Sequence, residues 1–448
     1  VFHIFVSNLE KIISTKMRRN YIFILLLISF LMLVVLSCTK VTDEIDPQII
    51  IESPVEFTSF NLPDTMLIKA VVSDDNNVES IKISVTDENF VTVFGAYSYP
   101  PSGNPTNIED ELVIDDVLME SGIYYLKIRV YDGENSKNAF RKIYINEVPR
   151  ELENVIVITK NAGYLSVQNI DAGFSLGTLF NIDCSYEVSE ISARYQLLYI
   201  AGKYYDWMKA CDIEKGTVEW TLSGVNHPPL PYFRNLYFKD DLLYVSTSRG
   251  EVLAYNQDKI VLYSTLLPQN RVPGVCIEHD NFLVTETSEI SGFHSYLTTF
   301  FATSGSFFNE RIIDMDVIGL YSKGENRIYC ITNTSLVGGI YVYNPQSNGL
   351  DEVRIFEGNL LIASEQIDDN NLFLAFSDGV HIYNYNLNSL TLFVINSSVL
   401  TMSFDDLNNI LYIAESNRVS SFTYPQGTLV NSIDVPKDVV NMHLHYNK

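Results

Sequence analysis

Few residues in this chain have the type and spacing to do chemistry. Seven histidines occur, His3, His227, His279, His294, His381, His443 and His445, and none belongs to an H-E-x-x-H pair. No G-x-S-x-G elbow and no phosphate-cradling glycine loop is present. Of five cysteines, Cys184, Cys211, Cys276 and Cys330 form no C-x-x-C and no metal-ligand spacing, so they read as buried single thiols. The sequence therefore assigns no catalytic residue, no metal ligand and no cofactor. What remains is aromatic. Gly202-Lys203-Tyr204-Tyr205-Asp206-Trp207 is one irregular insertion, and Asn226–Arg234 is a second, Pro-rich one that carries His227, Tyr232 and Arg234. Exposed Trp and Tyr rings stack on sugars and anchor protein interfaces. Tyr204, Tyr205, Trp207, His227, Tyr232 and Arg234 are the candidate ligand-binding residues. A weaker insertion, Glu286–Tyr296, adds Phe293 and His294.

These insertions interrupt a repeat, and the repeat must position them. One small β segment recurs as Val157-Ile158-Thr159, Tyr199-Ile200-Ala201, Tyr244-Val245-Ser246, Leu283-Val284-Thr285, Tyr329-Cys330-Ile331, Phe373-Leu374-Ala375 and Tyr412-Ile413-Ala414. The central residues are 39 to 46 positions apart, enough for four short strands with their turns. Seven such units predict a seven-bladed β-propeller. The first unit opens directly on its second strand, and the chain carries an unpartnered strand at Val439–Leu444. That strand is expected to complete the first blade and so remove the open sheet edges. Both insertions then fall in loops of one face, where ligands meet propellers. Glu190, Glu278, Asp316 and Glu365 lie near innermost strands and are expected to line the central channel.

The beginning of the sequence concerns export. Met17-Arg18-Arg19 is a basic start, Tyr21–Leu36 is apolar except for Ser29, and Val35-Leu36-Ser37-Cys38 follows. Sixteen residues are short for a membrane span and near the length of a signal-peptide core. The Val-Leu-Ser-Cys stretch resembles the lipobox of bacterial lipoproteins, with Val35 where Leu is usual; the resemblance implies lipidation of Cys38. Residues 1–16 read as an over-called start. Thr39–Glu44, with its acidic Asp43-Glu44 pair, resembles the surface-export signal of lipoproteins in glycan-foraging Gram-negative bacteria. The whole chain has a formal net charge of −25. From Cys38 onward, 26 basic face 54 acidic side chains, a net −28. That excess argues against nucleic acid, and against an anionic membrane surface, as the primary partner.

Residues 47–148 have another rhythm. Seven strand-like runs occur in about 100 residues, and Tyr125–Tyr131 alternates cleanly, which suggests a β-sandwich. Ala70–Asp75, Ser121–Tyr125 and Val130–Asn135 resemble bacterial immunoglobulin-like modules of the cadherin, PKD and fibronectin III kind. Asp74, Asp75, Asp87, Glu88 and Asp132 form no recognisable calcium loop and read as turn residues. In the repeat, Ala210-Cys211-Asp212-Ile213-Glu214-Lys215-Gly216-Thr217-Val218-Glu219-Trp220 resembles the unit of PQQ-like and YVTN-like propellers. The resemblance implies a Gly that sets the turn and a Trp that packs between blades, with Tyr263 and Phe393 in the Trp position elsewhere. It implies the fold and not the quinone cofactor, since the quinoproteins have eight blades and a dense set of binding residues that this chain lacks.

The expectation is an all-β protein: an over-called start and lipoprotein signal peptide at 1–37, a tether at 38–46, an immunoglobulin-like β-sandwich at 47–148, a linker at 149–154 and a seven-bladed β-propeller at 155–448. Its expected role is non-catalytic binding of a glycan or protein partner by a lipid-anchored outer-membrane surface protein, in nutrient uptake or envelope assembly. Two other classes stay open. One is a lactonase- or lyase-like propeller enzyme with a channel-mouth site. The other is a periplasmic outer-membrane assembly factor.

Overall fold

Alternation along the strands decides which side chains meet, and in the computed structural model they meet in two separate sets. The structure describes residues 45–203, 207–225, 230–268, 270–396 and 398–448, and no helix occurs among them. The chain divides into compact units at Val148/Pro149.

Among its described residues the first unit contains eight strands: β1 (Gln48–Ser53), β2 (Thr58–Asn61), β3 (Asp64–Ser73), β4 (Ser80–Thr86), β5 (Thr92–Tyr99), β6 (Thr106–Ile114), β7 (Gly122–Tyr131) and β8 (Ser136–Asn146). They form a three-stranded sheet, β1-β3-β6, and a five-stranded one, β2-β8-β7-β4-β5. Met66, Ile68, Ala70 and Val72 of β3 share one buried core with Ile81, Ile83 and Val85 of β4 and Leu126, Ile128 and Val130 of β7. Each of these sets has period two, so each sheet gives one face to the core and the other to solvent. The seven expected strands omitted β2. It is only four residues long and pairs parallel with β8. Its neighbours Pro54 and Pro63 gave it the look of a loop. Asp74, Asp87 and Asp132 do turn chemistry: Asp87 Oδ1 accepts from Asn89 N and Val91 N at 2.9 and 2.8 Å, and Asp132 Oδ1 from Glu134 N and Asn135 N at 2.7 and 2.6 Å.

The second unit holds seven four-stranded antiparallel sheets among the described residues, a β-propeller-like arrangement. Every recurring β segment of the sequence becomes the second strand of a sheet. The middles of these strands are largely apolar because they are buried on both faces: Leu197–Ala201 and Ile328–Ile331 are wholly buried. The innermost strands are Val188–Ser192, Phe233–Lys239, Arg271–His279, Asp316–Ser322, Ala363–Asp368, Thr401–Asp405 and Asp438–Tyr446. Each packs on the next, and the last packs on the first, so they close a ring. The first sheet is completed by Asp438–Tyr446. That strand pairs antiparallel with Leu152–Lys160, Met442 opposite Val157 and Leu444 opposite Val155.

Two features hold neighbouring sheets together. In all seven sheets the pairing of third and fourth strands is broken by a register shift, for example at Ala210/Cys211, Ala254/Tyr255 and Ser421/Phe422, and its position varies by up to two residues between sheets. Such bulges steepen the twist toward the rim. The outer strand of one sheet also meets the last turn of the next. The Trp220 indole donates to Gln257 O at 3.0 Å. A Cβ on Gly216 would fall 2.9 Å from Phe180, one on Gly305 2.7 Å from Ser264 O, and one on Gly427 2.5 Å from Phe393 O. All three glycines have φ near +65°. Trp220 and its equivalents thus pack between sheets. The four cysteines of this unit are buried.

Candidate functional site

Trp207 begins the third strand of the second sheet, Trp207–Asp212, and leaves 47 % of its surface exposed. Backbone pairing fixes its base, since its carbonyl lies opposite Ser223 in the ladder and 4.0 Å from Cys184 Sγ. Beside it, Lys203 N donates to Ser185 Oγ at 3.0 Å, and Lys203 Nζ lies 3.7 Å from Glu187 Oε2. Ser185 and Cys184 belong to the wall of a recess of about 290 Å³, completed by Lys160, Asn161, Tyr164 and Asp183. Tyr164 is 37 % exposed, with Lys437 Nζ 5.6 Å above its ring. Exposed ring faces beside hydroxyl, carboxamide and charged groups are what a sugar or a peptide segment requires.

The other candidates are placed differently. Tyr204, Tyr205 and His227 lie outside the described residues, as does Cys38. Tyr232 is buried, edge-on to Phe233 with ring centroids 4.9 Å apart, so it closes the core of the third sheet and presents no ring face. Arg234 occupies the bulge between Phe233 and Asn235. There its Nε is buried with no hydrogen-bond partner among the described residues. Its charge is directed at Glu286, where it partly opposes the effect of burial. Phe293 is fully exposed, and His294 Nδ1 pairs with Asp314 Oδ1 at 3.0 Å.

The ring of inner strands encloses a second candidate, a channel cavity of about 500 Å³ lined in part by Glu190, Tyr237, Cys276, Glu278, Tyr321 and Gln366. Glu190 keeps only channel-side exposure. Burial pushes its pKa up to about 7, against one backbone hydrogen bond from Ile191 N at 2.9 Å. Glu365 rises to about 8, through burial and then the nearby Glu190 charge, while Phe404 N donates to it at 3.3 Å. Glu286 rises to about 7 by burial, with Arg234 opposing and Asp316 adding. Glu278 accepts from the Tyr244 hydroxyl, to which Tyr263 donates at 3.0 Å. His443, on the closing strand, is pushed down to about 4 by burial, and its Nε2 lies 2.8 Å from Ser189 Oγ. Asn441 Nδ2 donates to that same Ser189 Oγ at 3.0 Å. Glu190 and Glu278 thus line the cavity, while burial raises the carboxyls of Glu190, Glu286 and Glu365 above the usual range and holds the His443 imidazole below its own.

Glu190 and Glu278 line this cavity as the sequence suggested, whereas Asp316 is exposed at the start of its strand. Asn441, His443 and Tyr164 escaped the sequence reading as site residues, and Glu286 entered it only as the start of the Glu286–Tyr296 insertion. One signal was available for Glu286: Gly274, on the facing strand, leaves a space where a Cβ would fall 1.9 Å from Glu286 Oε2. No group of three His, Cys, Asp or Glu side chains is placed to hold a metal ion among the described residues.

No family model and no curated protein matches the sequence. Among solved structures, a protein from Lactobacillus plantarum is similar at a TM-score of 0.50 and 14 % identity, over 66 % of this chain and 99 % of that one. The computationally designed Ika8 protein gives 0.44 and 14 %, over 71 % and 94 %. Hsv2 of Kluyvelomyces marxianus gives 0.43 and 9 %, over 64 % and 98 %. At such identity the Lactobacillus likeness bears on fold alone. With the repeated four-stranded sheets it defines the class: an all-β protein with a β-propeller-like unit.

Proposed function

We propose that this is a lipid-anchored outer-membrane protein facing the cell exterior, in which an immunoglobulin-like sandwich carries a seven-bladed propeller, and that the propeller binds a glycan or protein partner without catalysis, in nutrient uptake or envelope assembly. One observation carries the binding reading: Trp207 leaves 47 % of its surface exposed on a strand whose backbone carbonyl lies 4.0 Å from Cys184 Sγ in the wall of a recess of about 290 Å³. A ring fixed by strand pairing at its base loses little freedom on binding, which favours stacking. The test is a polysaccharide screen of the purified chain with Trp207→Ala beside it. Loss of one stacking ring should weaken binding roughly tenfold, equivalent to about 1.4 kcal/mol. Undiminished glycan binding by the variant removes Trp207 from the site. A co-purifying protein with no glycan bound moves the reading to a protein partner.

The anchoring is tested separately. Cys38→Ser should release the protein from membranes, and protease added to intact cells should cut the propeller. Protection of the propeller in intact cells points instead to a periplasmic assembly role.

The channel favours a second reading, a propeller enzyme of the lactonase or lyase kind. Acids held near pKa 7 to 8, as Glu190 and Glu365 are, suit general acid–base work. Turnover of a lactone or uronate panel by the wild type, lost in Glu190→Gln, would establish it. Turnover unaffected by that substitution would exclude these acids.

A further inference from the structure

Charge is strongly segregated in the first unit. Residues 45–148 contain 18 acidic and 7 basic side chains. The strands β2, β4, β5, β7 and β8 of the five-stranded sheet contain none of those acids, yet they contain six of the seven bases, all but Lys69. The three-stranded sheet is the reverse. Its strands carry Glu52, Asp64, Glu109, Asp110 and Glu111, and Lys69 is paired to Glu109 at 2.6 Å.

Of the six bases, Lys137 is tied to Asp46 at 2.9 Å and Arg141 lies 4.0 Å from Glu56. Lys82, Lys127, Arg129 and Lys142 form no ion pair with a described residue. All four alternate with buried core residues, so all four lie on the outward face of the sheet, with Lys82 directly opposite Arg129. Rings accompany them. Phe57 is 66 % exposed, Phe90 49 % and Phe140 40 %. Lys142 sits 5.3 Å above Phe57 and Lys127 5.8 Å above Phe140, while Phe90 packs on Phe140 at 4.8 Å. Acidic residues return in the segments that flank these strands, at Glu56, Glu79, Asp87, Glu88, Glu120, Asp132, Glu134 and Glu147.

The place where the chain enters the unit suggests what this face meets. Ile45 O accepts from Asn135 Nδ2 at 3.3 Å and Asp46 pairs with Lys137, so the segment from the N-terminus arrives at the β7–β8 turn, beside Arg129. Only six residues separate Cys38 from Ile45, a span of at most roughly 25 Å. Whether the apolar run at 21–36 is exchanged for acyl chains or kept, this sheet is held within reach of the lipid surface.

We propose that the basic–aromatic face of the five-stranded sheet docks on the phosphate-bearing lipid headgroups of the membrane to which the protein is tethered. The proposal rests on the anchored reading above. The net negative charge of the whole chain does not oppose it, because fields from more distant carboxylates are screened over about 8 to 10 Å, while the four cations lie at the face itself. Exposed Phe and snorkelling Lys suit the headgroup layer.

The test uses the chain from residue 39 onward, which lacks any lipid attachment site yet contains every described residue, so failed lipidation and failed docking give different results. It should co-sediment with phosphatidylglycerol-containing vesicles and not with pure phosphatidylcholine ones, and high salt should release it. Each reversed cation should cost about fivefold or more in partitioning. Lys127→Glu/Arg129→Glu/Lys142→Glu should therefore abolish sedimentation, the single Lys82→Glu should weaken it, and Lys259→Glu in the second unit should not. Circular dichroism checks that each variant is folded, and Lys82→Glu alone decides the matter if the triple variant is not. No binding to anionic vesicles, or binding that survives Lys82→Glu and the folded triple variant, overturns the proposal. Binding to a soluble acidic polysaccharide but not to vesicles overturns it too, in favour of a polyanion site.

Discussion

Glu365 shows how far burial, with a neighbouring carboxyl adding to it, can move a side chain. Its folded pKa of about 8 and Glu190's of about 7 both lie above the ordinary 4.5, so the native state binds protons that the unfolded chain releases. Their contribution to stability is whole below pH 4.5 and falls as pH rises toward 8. Glu365→Gln keeps the shape and discards the charge. It should stabilise the protein by about 1 to 3 kcal/mol above pH 8 and change little below pH 5, measured as urea midpoints across pH; equal midpoints above pH 8 would refute the placement. His443 acts on the opposite side. Its folded pKa of about 4 lies below 6.5, so its contribution is complete above 6.5 and lost as pH falls toward 4. The thiols of Cys211 and Cys276 are buried and pushed up to about 12. Thiol reagents at pH 8 should leave them unmodified until denaturant is added; rapid labelling of native protein would show that the sheets open.

At the level of elements, the turns between third and fourth strands decide how closely sheets approach. Gly427 has φ 67° and would place a Cβ 2.5 Å from Phe393 O, whereas Gly358 has φ 72° and open space around it. Both lose backbone freedom on substitution by Ala, but only Gly427 also presses on the neighbouring sheet. Gly427→Ala should cost about 2 to 4 kcal/mol and Gly358→Ala about 1, by chemical denaturation. Equal costs would mean that the sheets separate easily. The turn chemistry itself was legible in the sequence, since Asn326, Asn348, Asn388 and Asn409 take the positive φ that Asn tolerates. The recurring bulges were not, because a register shift depends on how two strands pair and leaves no residue signature of its own.

For the whole molecule, closure is the decisive feature. Without Asp438–Tyr446 the strand Leu152–Lys160 becomes an apolar edge, with Ile156, Val157 and Ile158 unpaired on that side. A chain ending at Lys437 should lose the melting transition of the second unit and aggregate on size exclusion. The core of the first unit, drawn wholly from residues 49–148, should persist as a protease-resistant fragment. A soluble monomer with unchanged melting would mean that seven strands do not need to ring the channel.

The sequence by itself determined the periodicities. An alternation of two separates core from solvent in β3, β4 and β7, and a recurrence near 42 residues marks each second strand, because strands buried on both faces must be apolar. It also located the aromatic insertion that ends in Trp207. Only the tertiary structure decided which polar groups are buried. Glu190, Glu365 and His443 lie on strands far apart in sequence, and nothing local marks their carboxyls or imidazole as buried. Tyr232 and Trp207 look alike as loop aromatics, yet one closes a core and the other meets solvent. A side chain's type sets what it can do, but its surroundings, assembled from distant segments, set its charge and its access to a partner.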